Sequence, residues 1–221
     1  MRAMTRELLD KQLHELFEGL LSMGGMVEKA IERAIQALVK RDTRLAQDVI
    51  DEDAAIDKFR WKLEEECLRL LATQQPMATD LRTVGAVLSI LADVERMGDH
   101  AEGIARIVLR IADQPPLKPL IDIPRMARKC QEDLHLVLQS FINHDVEQAR
   151  RICAEDDEVD ALYKQVFSEL LVIMMGDPRT VDRATYLIWV AHNLERIHDR
   201  ITNVGERVVF MVTGRLEELN V

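Results

Sequence analysis

Four pairs of carboxylates, each spaced four residues apart, are the chemically charged feature of this chain. Glu95 and Asp99 lie in ERMGDH, and Glu195 and Asp199 lie in ERIHDR one hundred residues later. Asp53 with Asp57 and Asp156 with Asp160 repeat the spacing upstream of each. On a helix of about 100° per residue with Val84 at zero, Leu88 falls at about 40°, Glu95 at about 20°, Asp99 at about 60° and Glu102 at about 0°. The acids therefore share a sector with apolar side chains, as do Glu195 and Asp199 with Ile188 and Ala191. Carboxylates held in such a groove repel one another and lose hydration, so something positive has to satisfy them. Two kinds of partner are open. Arg82, Arg96, Arg106, Arg196, Arg200 and Arg207 offer an ion-pair network. A metal ion held by oxygen ligands at i and i+4 is the other.

Histidines add one further pattern. GluArgIleHis at 195–198 has the Glu-x-x-His spacing of carboxylate-bridged di-iron bundles, whereas its counterpart GluArgMetGly at 95–98 does not. His198 is otherwise read as a partly buried or rim histidine. His100 adjoins the first acid pair and His192 precedes Glu195 by one turn. His14, His135 and His144 have no acid cluster in register.

Other chemistries find little support. No nucleophile elbow, zinc-protease motif, phosphate loop or dinucleotide turn occurs, so the chain is read as a non-enzyme. A net charge of −10 without a basic block argues against direct nucleic-acid binding. Cys67, Cys130 and Cys153 are far apart and outside any CxxC pattern, which disfavours disulfides and thiolate zinc. No signal-peptide pattern or membrane-length apolar run is found, so the expected location is a reducing cytoplasm.

The elements that carry these residues are helices. Only 9 glycines and 6 prolines punctuate the chain, leaving long runs with neither. Periodicity predicts helices over 5–40, with a weak point at Gly24-Gly25, over 43–73, and from the QQPMATD turn to about 112. DQPPLKPLIDIP at 113–124 is the linker. Three more helices are predicted over 125–143, 145–175 and 178–213, with Pro76 and Pro178 at helix starts. KRDTRLAQDVIDEDAAID (40–57) matches NHDVEQARRICAEDDEVD (143–160) at an offset of 103, and LADVERMGDH matches VAHNLERIHD at an offset of 100. The expected architecture is all-α, a tandem repeat of two antiparallel three-helix bundles, 1–114 and 115–221.

ATQQPMATDLR (72–82), LADVERMGDHAEGIA (91–105) and NLERIHDRITNVGE (193–206) resemble the signatures of the PhoU family of phosphate transport regulators, over about residues 5–215. The resemblance implies a cytoplasmic homodimer, peripheral at the inner membrane through its partners. It implies a negative regulator of phosphate uptake and the phosphate-starvation response, an adaptor between the ATPase subunit of a phosphate ABC transporter and a phosphate-sensing histidine kinase. It further implies divalent or trivalent metal ions at the acidic motifs, as iron clusters or as manganese, magnesium or zinc. Carried over, the ligands are Glu95, Asp99, Glu195 and Asp199, with Asp53, Asp57, Asp156 and Asp160 on the preceding helices and Asn203 after the second motif; Glu102 joins them from the shared sector. The chain departs from the family pattern at Gly103, where asparagine is usual, at Arg200 in place of histidine, and at His198 in place of a small residue. Unequal sites are therefore expected, with Arg200 offsetting negative charge at the second. A di-iron bundle enzyme is the alternative reading, and phosphate itself is a poor ligand for carboxylates without a metal or arginines.

Overall fold

The computed structural model describes residues 2–219, with side chains from residue 6 onward. Seven helices account for nearly all of it: α1 (Arg2–Lys40), α2 (Thr43–Gln74), α3 (Thr79–Ile111), α4 (Asp122–Asn143), α5 (Val146–Ala154), α6 (Asp156–Gly176) and α7 (Val181–Thr213). No strand is present among the described residues. α1–α3 form one antiparallel three-helix bundle, and α4, the α5–α6 pair and α7 form the other.

The repeat is visible in the turns as well as the helices. Arg41 and His144 occupy corresponding positions and both adopt the left-handed conformation, at φ 57° and 56°. The next amide in each, Asp42 or Asp145, reaches back 2.9 Å to the carbonyl of Ala37 or Ser140. Asp42 then caps α2 by accepting from the Arg44 and Leu45 amides, and Asp145 caps α5 by accepting from Gln148. Each turn thus ends one helix and starts the next with the same chemistry.

Three sequence expectations change in detail. α3 begins at Thr79, beyond Pro76. Pro76 disfavours a helical residue before it, Gln75 turns left-handed to close α2 at φ 45°, and Ala78 turns back at φ 49°. The single helix expected over 145–175 is two, broken at Glu155, whose amide is shared between the Arg151 and Ile152 carbonyls. Pro178 opens a short 3-10 turn, Pro178–Thr180, ahead of α7. Gly24-Gly25, by contrast, breaks nothing. A Cβ at Gly24 would lie 2.2 Å from Leu138 Cδ1, so the glycine serves the close approach of α1 to α4.

The bundles are joined along α3 and α7, which run antiparallel. Arg200 Nη1 donates to Asp93 Oδ1 at 3.1 Å, and His100 Nδ1 lies 2.9 Å from Asn193 Oδ1. Positions 93 and 193, and 100 and 200, are repeat equivalents, so each pair makes the contact its counterpart makes. That is the self-complementary pattern of a two-fold interface, built here within one chain. The Asn193 amide donates to the Trp189 carbonyl, which leaves its oxygen to accept from His100. Phe17 and Phe141 meet edge to face at 5.4 Å, tying α1 to α4. Buried residues of both bundles form one continuous core, from Leu9 on α1 to Met211 on α7.

Candidate metal centre

The first acidic cluster lies on the rim between α2 and α3. Apolar residues Ile56 and Leu63 of α2, and Val94, Met97 and Ala101 of α3, are buried and fix the facing of the two helices. That registration leaves Asp53 and Asp57 opposite Glu95, Asp99 and Glu102. Ligand atoms of Asp53, Asp57 and Asp99 all lie within 4.8 Å of one another, each side chain half-buried. Burial, and then the charges of Glu102, Asp57, Asp99 and Glu95, push the Asp53 carboxyl up to about 6.

Arginines line the edge of this cluster without reaching its middle. Arg60 donates to Glu95 Oε1 at 2.8 Å and to Glu64 at 2.9 Å. Arg96 donates to Asp99 at 3.1 Å, and Arg106 pairs with Glu102 at 2.5 Å. Among the described residues no Lys, Arg or His pairs with Asp53 or Asp57. Glu95 Oε2 is buried and accepts no hydrogen bond. Of the two partners open in the sequence, arginines therefore pair with the outer acids, while Asp53 and Asp57 make no direct ion pair, the cations nearest Asp53 being Arg106 and the cavity-lining Lys29.

The second cluster is arranged differently. Asp160 of α6 faces Glu195 and Asp199 of α7, with Lys164 Nζ 3.4 Å from Asp160, His192 Nδ1 3.3 Å from Glu195 and Arg196 paired with Asp199. Burial raises the Glu195 and Asp199 carboxyls; neighbouring acids add to both shifts and Arg196 opposes them. Asp156 turns to the bundle interior, where its Oδ1 lies 2.5 Å from His198 Nδ1. His198 is fully buried, and its Nε2 lies 2.8 Å from Asp133 Oδ2. Lys129 completes the network, donating to Asp133 at 3.1 Å and pairing with Glu155. Burial alone would lower the His198 pKa, but hydrogen bonds to Asp133 and Asp156 and their charges outweigh it and lift it to about 9.

Several residues expected at the acidic clusters are held elsewhere. Arg200 points across the repeat boundary to Asp93 rather than to Asp199, so it does not relieve the second cluster by contact. Asn203 joins it there, its amide donating to Asp93 at 3.2 Å. Thr202 stands where the first repeat has Glu102, and its hydroxyl donates to the Asp199 carbonyl. His198 lies in the core rather than at a rim, with both ring nitrogens engaged, so Glu195 and His198 do not form the paired ligands that a di-iron motif requires. The three cysteines are buried and unpaired, with thiols pushed up by burial, to about 12 for Cys67 and Cys153.

Asp133 is the residue the sequence reading missed. Its signal was an acid in line with Cys130, Leu134 and Val137, on the buried stripe of α4.

Comparison with known proteins agrees with this architecture. The PhoU domain family model matches residues 20–108 and again 123–208. A phosphate-specific transport system accessory protein PhoU homolog of Clostridium acetobutylicum is 38% identical over 98% of this chain and 100% of its own length. The corresponding protein of Caulobacter vibrioides is 40% identical over 95% of this chain and 90% of its own. Crystal structures of PhoU from Pseudomonas aeruginosa (TM-score 0.89, 33% identity, 93% of this chain and 99% of that one) and of the phosphate transport system regulatory protein PhoU from Streptococcus pneumoniae (TM-score 0.88, 32% identity, 95% and 99%) share the fold. With both repeats matched in order, and the acid pairs, the turns and the α3–α7 seam repeating in step, the chain belongs to the PhoU family.

Proposed function

We propose that this protein is a metal-binding regulator of phosphate-specific transport, a negative regulator of phosphate uptake and the phosphate-starvation response. It acts by contact rather than catalysis, between the ATPase subunit of a phosphate ABC transporter and a phosphate-sensing histidine kinase. Family membership supports this reading, as do the accessory and regulatory roles named for its relatives. Its place is the cytoplasm, at the inner membrane only through those partners; no described helix is long and apolar enough to cross a membrane.

The observation behind the metal part of the reading is the trio Asp53, Asp57 and Asp99, gathered within 4.8 Å. These residues would hold the ion, with Glu95 and Glu102 beside them once their arginines swing aside. An all-oxygen set suits hard ions such as magnesium, manganese or iron(III) better than zinc, which favours nitrogen and sulfur. Bound there, the ion supplies positive charge between carboxylates that otherwise repel, cross-linking α2 to α3. In the second repeat the acids left at the rim are Asp160, Glu195 and Asp199, the counterparts of Asp57, Glu95 and Asp99.

Stripping the protein of metal, reconstituting it with manganese or iron and measuring metal content tests the assignment. Glu95→Ala with Asp99→Ala lowers the metal bound per chain; unchanged content in a folded double variant sinks the first-cluster assignment. Metal that binds the folded state also raises the melting temperature of the wild type, by an amount set by its concentration relative to Kd.

A further inference from the structure

The two repeats can be overlaid residue by residue where they differ most. Around His198 the second repeat places Lys129, Asp133, Glu155 and Asp156. At the offsets of 103 and 100 that align the halves, the first repeat has Met26, Ala30, Glu52, Asp53 and Gly98 in those five places. All five line a single cavity of about 250 Å³, together with Ile56 and Glu102. The second repeat thus fills with an imidazole and its aspartate the space that the first repeat leaves open.

The consequence for the carboxylates is direct. Asp53 and Asp156 are equivalent, yet Asp53 gathers with Asp57 and Asp99, whereas Asp156 is hydrogen-bonded to His198. Among the described residues no second trio of His, Cys, Asp or Glu ligand atoms comes within 4.8 Å. Gly98 is what keeps the first repeat open. A Cβ there would already lie 3.2 Å from Ile56 Cδ1 and 3.5 Å from Asp53 Oδ1, so any side chain at 98 enters the cavity against the aspartate. The second repeat makes room with the smaller Val159 in place of Ile56.

We propose that His198, held by Asp133, is a built-in occupant that withdraws Asp156 from cation binding, so that the first repeat is the protein's principal metal site. The inference rests on the metal reading given above and assigns the inequality of the repeats to named residues. Losing only a partner that orients a ligand weakens a metal site roughly 10- to 100-fold, so losing the Asp156 carboxylate itself is expected to weaken the second site by at least that factor. The break between α5 and α6 falls at Glu155, the residue before Asp156, where the equivalent α2 runs through unbroken. The chain thus departs from helix where its aspartate turns inward.

Exchanging the repeats' residues tests this on the full-length protein. Asp133→Ala with His198→Gly gives the second repeat the first repeat's residues at these two places, keeps Lys129 paired with Glu155 and releases Asp156 toward Asp160 and Asp199. Ala30→Asp with Ile56→Val and Gly98→His does the converse. The readouts are Mn²⁺ bound per chain, by calorimetric titration and elemental analysis at neutral pH, and the Mn²⁺-dependent rise in melting temperature. Wild-type protein is expected to show tight binding that Asp53→Asn abolishes. The first exchange is expected to add a second tight site, and the converse exchange to remove the first. The two exchanges alter different bundles, so a folding failure in one leaves the other decisive. Equal tight binding at both repeats of the wild type overturns the inference while the metal reading stands. So does a folded exchange variant whose stoichiometry does not change. Absence of Mn²⁺ binding to the wild type overturns both.

Discussion

His198 sits between Asp133 and Asp156 with no exposure to solvent, and an ionised group so placed is held by its partners. Removing one member of such a buried set typically costs about 3–5 kcal/mol, because the charge left behind has no counter-ion. The titration of His198 makes its contribution pH-dependent. Its pKa rises from 6.5 to about 9 on folding, so its stabilisation is fully present below about 6.5 and is lost as pH climbs through 9. Burial works against the Lys129 ammonium, but its hydrogen bonds to Glu155 and Asp133 outweigh it and hold its pKa above the ordinary value, so Lys129 stays charged across that window. Thermal melts from pH 6 to 9.5 are expected to show a declining melting temperature in wild type and a flatter profile in the Asp133→Ala, His198→Gly variant. Parallel profiles would contradict the assignment.

The helices were legible because their causes are local. Asp42 and Asp145 precede apolar-periodic runs, and both cap the helices they announce. Asp42→Ala leaves the Arg44 and Leu45 amides without their acceptor and is expected to lower stability by about 1 kcal/mol in urea denaturation. The acid clusters were half legible. Spacing placed Glu95 and Asp99 on a shared sector and picked out Asp53 with Asp57 and Asp156 with Asp160 on the preceding helices, and the family resemblance marked them as metal ligands. What spacing does not carry is which carboxylate finds a partner from another helix. Asp156 and Asp53 read alike in sequence and diverge only because Asp133 and His198 converge from α4 and α7. The break at Glu155 was hidden for a related reason, since no proline or glycine marks it. Asn203 and Arg200 were drawn to Asp93 by the α3–α7 seam, a long-range contact outside any local pattern.

Across the molecule the two repeats differ in surface as well as interior. Phe167, Leu171 and Met175, four residues apart along α6, are exposed; their first-repeat equivalents are Glu64, Leu68 and Ala72. An exposed apolar stripe of this kind suits a protein–protein contact, and α6 is where a contact between two copies of the chain is to be tested. Leu171→Asp with Met175→Asp is expected to shift sedimentation toward the monomer without altering the helical circular dichroism spectrum; an unchanged sedimentation profile would place any interface elsewhere.

The continuous core also bears on what holds this protein in one piece. The Pro-rich connection around residues 113–121 is largely at the surface, whereas α1 against α4 and α3 against α7 are packed along their lengths. A protease cut in that connection would sever the polypeptide and leave the assembly intact. Two fragments of about half length would co-elute as one particle, parting only in denaturant. The peptide bond between the halves is then a tether that keeps stoichiometry at one to one, and the seam of side chains is what makes them a single body.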